Sequence, residues 1–220
     1  MKTLKTVLIG VLLCFGATSY AQIYSKVSQG TNIIRAKKSD PDVTGSPYLS
    51  DKWEKGKVVF DDGSMVSFES LKYDALEEVL VIKGSDEEDN TFTDPIRGFY
   101  LNLSGVNKYF KNGFSGNNGI SKKTFFEVIW DGKTKVLKRN MKSVIESKGY
   151  NTATVTKKIE TSSYYYLTKG DLIAIPIKNN EKSVLAALNR PELSKYIKEN
   201  SLDLKKDEDL GKLLAYYDSL

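Results

Sequence analysis

The chain has 220 residues, 40% of them hydrophobic, a formal net charge of +5, no histidine, and one cysteine, Cys14. Without imidazole, and with the one thiol inside the leader described next, Ser-His-Asp and Cys-His nucleophile systems lack essential members. For the same reason ordinary zinc sites lack ligands and no disulfide can form. The charge is mild, and the lysine pairs at 37–38, 122–123, 157–158 and 205–206 are scattered, so no nucleic-acid partner is expected.

Met1 to Lys5 form a short basic segment, and Thr6 to Phe15 are mostly apolar but too few to cross a bilayer. Ser19-Tyr20-Ala21 places small residues at the two positions a signal peptidase reads. Residues 1–21 are therefore expected to be a signal peptide. The mature chain would start near Gln22 and be periplasmic or secreted. Leu13 and Phe15 flank Cys14 where a lipoprotein signal needs a small residue before its cysteine, so Cys14 reads as one more apolar residue of the leader. Cleavage leaves 199 residues, and the loss of Lys2 and Lys5 takes the charge from +5 to +3. A domain of that size buries about 70% of its unfolded surface and needs no staples. No second apolar stretch reaches spanning length.

Residues 22–56 are polar and turn-rich, with breakers at Asp40-Pro41-Asp42 and Gly45-Ser46-Pro47. They read as an extended arm anchored by Tyr48, Leu49 and Trp53. From Lys57 the texture becomes that of strands. Asp61-Asp62-Gly63 between apolar runs predicts a hairpin with a type I′ turn. Leu71 and Tyr73, then Val79 to Ile82, predict a second hairpin or a continued meander. Ser85 to Thr93 reads as an acidic, solvated loop, and Phe99, Leu101 and Leu103 share a strand face. In Phe125 to Trp130 the alternation puts Phe126, Val128 and Trp130 on one face and Glu127 on the other, wet face. Val155 to Leu167 and Leu172 to Ile177 bracket Lys169-Gly170-Asp171 as a further hairpin, and Pro176 marks an edge or a strand end.

The period changes to that of helices in the last forty residues. Val184, Leu185 and Leu188 mark one helix, and Leu193, Tyr196 and Ile197 a second entered through Pro191. Leu210, Leu213, Leu214 and Tyr217 mark a third, weakened by Gly211 inside it. The fold class expected is α+β: a mainly antiparallel β-sheet, as a meander or half-barrel, followed by a C-terminal cap of about three short helices. The organisation is then signal peptide 1–21, arm 22–56, β body 57–178 and helices 179–220 packed on the same domain.

Gly45-Ser46-Pro47-Tyr48-Leu49, followed by Gly56-Lys57-Val58 and Leu71-Lys72-Tyr73-Asp74, resembles a pattern of uncharacterised exported proteins of Gram-negative bacteria. Those proteins carry a GxPYL-like segment, an aromatic strand and a C-terminal helical tail, to which Tyr216-Tyr217 is similar. Lys72 and Asp74 stand where that pattern usually has Arg and Asn. The resemblance implies location and domain extent, and brings no activity with it.

Chemistry-bearing residues are few. Asp86-Glu87-Glu88-Asp89-Asn90, with Asp94, lacks the alternating spacing and glycine of a calcium loop and reads as solvated. Tyr164-Tyr165-Tyr166 alternates on a strand, so Tyr165 should point opposite to Tyr164 and Tyr166. With Trp130 these three tyrosines are the candidate ligand-binding residues, set against ordinary packing of a half-buried sheet. The glycine-rich run from Gly113 to Gly119 lacks a phosphate-loop ending. Glu127, flanked by apolar strand residues, is the acid that a carboxylate-dependent hydrolase would use, but no second acid pairs with it from sequence. No catalytic residue, metal or cofactor is expected.

Three functions follow from different classes. The first is a non-enzymatic exported binding or accessory protein of the cell envelope, with another envelope protein as a natural partner. The second is a periplasmic carrier of a lipid or other apolar ligand in a sheet-and-helix cavity. The third is a carboxylate-dependent glycan hydrolase.

Overall fold

The structure, a computed structural model, describes residues 33–36, 40–84, 88–148, 155–170 and 172–220. The leader with Cys14, Lys37-Lys38, Asp86-Glu87 and Asp171 lie outside the described residues. Among the described residues there are twelve strands in chain order: β1 (Ile33–Arg35), β2 (Val43–Thr44), β3 (Glu54–Phe60), β4 (Met65–Asp74), β5 (Val79–Lys83), β6 (Asp89–Phe92), β7 (Ile96–Leu103), β8 (Val106–Lys111), β9 (Phe126–Asp131), β10 (Thr134–Lys148), β11 (Val155–Lys169) and β12 (Ile175–Ile177). Three helices follow: α1 (Glu181–Leu188), α2 (Leu193–Glu199) and α3 (Asp207–Ser219).

The strands form one open sheet in the order β1-β6-β5-β4-β3-β7-β8-β9-β10-β11-β12. Neighbours along that path run antiparallel, while β2 lies parallel to β11 at Lys157-Lys158. The fold is thus α+β and mainly antiparallel, made mixed by β2.

The sheet curls. Four strands separate β4 from β10, yet the Lys142 amide of β10 donates to the Ala75 carbonyl in the turn after β4, at 2.9 Å. Arg139 of β10 forks onto Glu78 in the same turn, Nε to Oε1 at 2.7 Å and Nη2 to Oε2 at 2.9 Å. Arg35 ends β1 beside β6, and Val43, eight residue steps or at most about 30 Å of chain later, starts β2 beside β11.

Side chains fill the inside of the curl. Tyr73, Phe99, Phe110 and Phe125 pack as an aromatic group, with Phe99 stacked on Phe110 at 4.8 Å between centroids. A second cluster joins Phe114, Ile120, Phe126, Leu137, Tyr166 and Ala174. The third lies under the helices, where Val184, Leu188, Leu193, Ile197, Leu210, Leu213 and Leu214 close over Val136, Tyr165 and Leu167. Glycine is obligatory at Gly56, beside a register shift in β3: an added Cβ would meet the Tyr100 carbonyl oxygen at 2.1 Å.

Several expectations change. Asp89 to Phe92 are a strand between β1 and β5 rather than part of a solvated loop. Their polar groups are satisfied there, for Thr91 Oγ1 donates to the Leu80 carbonyl and Asp89 accepts from the Tyr48 hydroxyl. The β3–β4 turn is not type I′. Gly63 alone has positive φ (82°), and its amide donates to the Phe60 carbonyl, as in a type I turn closed by a glycine bulge. Pro176 does sit in the terminal strand β12, opposite Tyr166.

Candidate functional site

The site begins with an irregularity in β9. Val136 of β10 pairs with Trp130, but the next residue, Leu137, pairs with Val128, so Ile129 is an extra residue and the strand bulges. The bulge turns Trp130 onto the face of Glu127. Simple alternation, which placed Trp130 with Phe126 and Val128, fails at this point. Phe126 and Val128 pack into the sheet cluster with Leu137, whereas Ile129 and Trp130 pack against the helical cluster with Val136.

Between β8, β9 and α3 lies an open groove of about 620 Å³. Lys108, Tyr109 and Val106 come from β8, Glu127 and Trp130 from β9, and Asp207, Glu208, Gly211 and Lys212 from α3. Glu127 is not on a wet face, as its 5% exposure shows, because α3 and β8 wall it in. One carboxylate oxygen accepts from Lys108 Nζ, and the other accepts from Asn140 Nδ2 at 2.8 Å. Asn140 Oδ1 in turn accepts from Ser163 Oγ at 2.9 Å. The row runs across strands β8, β9, β10 and β11, so each member is held by the sheet itself.

A second polar group adjoins the start of α3. Asp207 accepts from Lys138 Nζ and from the Tyr165 hydroxyl, each at 2.7 Å. Burial works to lower the Lys138 pKa, but Asp207, with Glu127 and Tyr165 behind it, outweighs burial and leaves the pKa raised. Burial, and then the Asp207 carboxylate, raises that of Tyr165. Both groups stay protonated through the neutral range.

Gly211 faces this groove from inside α3. Glycine in a helix interior is about 1 kcal/mol less favourable than alanine. No local constraint requires it here. Its φ is not positive, and an added Cβ would meet only the Ile129 carbonyl oxygen at 3.7 Å, an ordinary contact.

The residues singled out by sequence are dispersed. Tyr165 lies in the helical cluster and Tyr166 in the sheet cluster, on opposite faces, while Tyr164 is 47% exposed. They form no common platform. Trp130 is brought beside Glu127, but its Nε1 is committed to Asp218 of α3 at 2.9 Å. Lys108, Lys138, Asn140, Ser163 and Asp207 carried no motif. The signal open to sequence reading was Gly211, a helix breaker on the flank of the apolar stripe formed by Leu210, Leu213, Leu214 and Tyr217.

A smaller groove of about 470 Å³ lies between the arm, the β4–β5 turn and β10–β11, with Asp40, Asp74, Glu77, Glu146 and Lys157 in its wall. Two of its acids are engaged: Asp40 pairs with Lys157, and Asp74 Oδ1 accepts from the Leu76 and Glu77 amides at 2.9 Å. Among the described residues no three His, Cys, Asp or Glu side chains are grouped to hold a metal ion. No helix of the described residues is long and apolar enough to cross a membrane.

Comparison with family models, with curated proteins and with solved structures returns no match to this chain.

Proposed function

We propose that the chain is a non-enzymatic exported binding or accessory protein of the bacterial cell envelope, and that the groove beneath α3 is where it meets its ligand. The observation that carries this reading is the state of Glu127. Both of its oxygens are committed, one to Lys108 and one to Asn140, on a row of side chains fixed by four strands. Such a carboxylate is a preorganised acceptor. A hydrolytic pair would instead need two carboxyls about 5 to 9 Å apart, with one free to give up a proton. The leader-like first 21 residues support the export half of the proposal.

A carrier reading, with the curled sheet acting as a half-barrel, takes second place. The half-buried group Phe60, Phe68 and Phe92, with centroids 5.5–5.9 Å apart, favours it. The buried aromatic group around Phe99 weighs against it, because it occupies the space an apolar ligand would fill. Native mass spectrometry of the protein isolated from its own periplasm, with the solvent extract examined for lipid, separates these readings. A lipid of defined mass sinks the binding proposal in favour of the carrier. A polar adduct, lost when Ala215 in the groove wall becomes Phe, supports it. Turnover of a glycan that vanishes in Glu127→Gln brings the hydrolase back.

A further inference from the structure

Three features of the groove beneath α3 together point to a ligand class. The first is Gly211. It weakens a 13-residue helix, neither backbone conformation nor crowding calls for it, and the missing side chain is space in the groove. A local rule broken without a packing reason is characteristic of a functional surface. The second is charge. Counting Lys138 and Asp209, the partners of Asp207 and Lys212, the groove carries three lysines (108, 138 and 212) against four carboxylates (Glu127, Asp207, Glu208 and Asp209), and each lysine is already paired with one of them. Its two deepest charges are already paired, so an ionic ligand would have to break a partly buried pair to gain its own. The third is the pattern of donors and acceptors. Each ion pair presents a donor beside an acceptor, which suits a group that both donates and accepts, as a hydroxyl does. Tyr109 and Trp130 add aromatic surface to the same wall.

We infer that the groove binds an uncharged, polyhydroxylated ligand, a segment of neutral oligosaccharide, with Gly211 making the room for a sugar ring. The inference rests on the proposal that this is a binding protein and adds the class of ligand. Its volume of about 620 Å³ falls within the usual range for ligand sites. Lys108–Glu127 and Lys138–Asp207 would act as polar rails, and the pairs would remain intact on binding.

The test is an NMR titration of the purified protein with neutral tetrasaccharides (maltotetraose, cellotetraose and chitotetraose), and with trilysine and triglutamate as charged probes. At least one tetrasaccharide is expected to shift the Trp130 indole and the amides of β8, β9 and α3, with the sugar signals unchanged over time. Gly211→Ala is expected to raise Tm and yet weaken that binding at least threefold, a pairing that a purely structural glycine would not give. Ala215→Phe, which adds bulk to the same wall, is expected to weaken it at least tenfold while the protein stays folded. Absence of groove shifts from all three sugars at about 10 mM, where a millimolar site would be nearly saturated, overturns the inference. Groove shifts from a charged probe alone overturn the ligand class and leave a binding protein. Silence from every probe overturns the ligand class and the groove's role together. Gly211→Ala that raises Tm and leaves sugar affinity unchanged removes Gly211 from the argument and overturns the role given to it.

Discussion

Trp130 Nε1 donates to Asp218 Oδ2 at 2.9 Å, and this one bond ties the bulged end of β9 to the last turn of α3, 88 residues later. The same carboxylate accepts from the buried Thr134 amide at 3.1 Å, so Asp218 closes the β9–β10 turn as well as the helix. Gly132 makes the approach possible, since a Cβ there would lie 2.0 Å from Asp218 Oδ2 and 2.4 Å from Trp130 Nε1. The position of α3, and so the width of the groove, hangs on this contact.

Asp218→Ala removes acceptors from two donors and should cost about 2 kcal/mol, the scale of hydrogen bonds to a charged group. For a chain of this size that lowers Tm by roughly 4–8 °C. Gly132→Ala should cost a similar amount through the displaced carboxylate. Thermal unfolding with Trp130 fluorescence reads both. Wild-type Tm in either variant would mean that α3 is held by its apolar face alone.

How the sheet curls depends on an ion pair that no motif announced. Arg139 and Glu78 have side chains only 10% and 22% exposed, and Glu78 adopts a left-handed backbone (φ 55°) to meet its partner. Hydrogen bonding to Glu78, against the cost of burial, raises the Arg139 pKa and keeps the guanidinium charged. Breaking such a pair on one side leaves an uncompensated charge. Arg139→Met should therefore cost about 3 kcal/mol. In a double-mutant cycle with Glu78→Gln, the coupling should exceed about 1 kcal/mol. Additive single and double variants in urea unfolding would show that the curl does not rest on the pair.

Strand alternation read from the sequence located β3–β4, β4–β5 and β7, and the change of period located all three helices. The long β10 escaped because Thr134 to Lys148 has lysine, arginine and asparagine where a one-sided strand would show apolar residues. Both faces of β10 are engaged: Leu137 lies in the sheet cluster, and Val136 lies under the helices. Its polar residues are spent on partners distant in sequence, Lys138 on Asp207, Asn140 on Glu127 and Arg139 on Glu78. The site was illegible for the same reason. Glu127 could be singled out, but Lys108 and Asn140 reach it across strands, and the bulge at Ile129 changed which face Trp130 shares. A bulge moves every later side chain to the other face, and alternation alone carries no sign of it.

Asp74 gives a pH prediction. It is 6% exposed, and burial raises its pKa above the ordinary carboxylate value. The Glu77 and Leu76 amides and the Lys142 charge oppose that rise, and the Glu77 charge adds to it. A carboxyl with a raised folded pKa favours folding most in its protonated form. Its contribution is fully present below the unfolded pKa and is lost as pH rises through the folded one. Asp74→Asn keeps the Oδ1 acceptor for both amides and removes the charge. It should stabilise the protein at pH 7 by something on the order of 1 kcal/mol, the scale of one buried polar group. The gain should fade as pH falls below the carboxylate range. Urea unfolding at acid and neutral pH checks this, and a variant less stable at pH 7 would mean that the Lys142 attraction outweighs burial.

Lys142 fastens the arm. Its ammonium donates to the Ser46 carbonyl at 2.7 Å and to that of Tyr48, although burial lowers its pKa. Around it the arm is stitched to β4: the Ala75 amide donates to Pro47 O, and the Leu49 amide to Tyr73 O, each at 2.9 Å. Lys72 lies over the rings of Tyr48 and Trp53 at 4.6 and 4.7 Å. Lys142→Met would leave two carbonyls without their cation while keeping the aliphatic stem, so the loss should be local. Amide exchange of Tyr48 and Leu49 should quicken at least tenfold, with residues of α3 unaffected and Tm lowered by no more than about 5 °C. Unchanged protection at 48–49 would show that the bonds to β4 alone dock the arm. Quickened exchange across the whole sheet would make Lys142 a support of the curl itself.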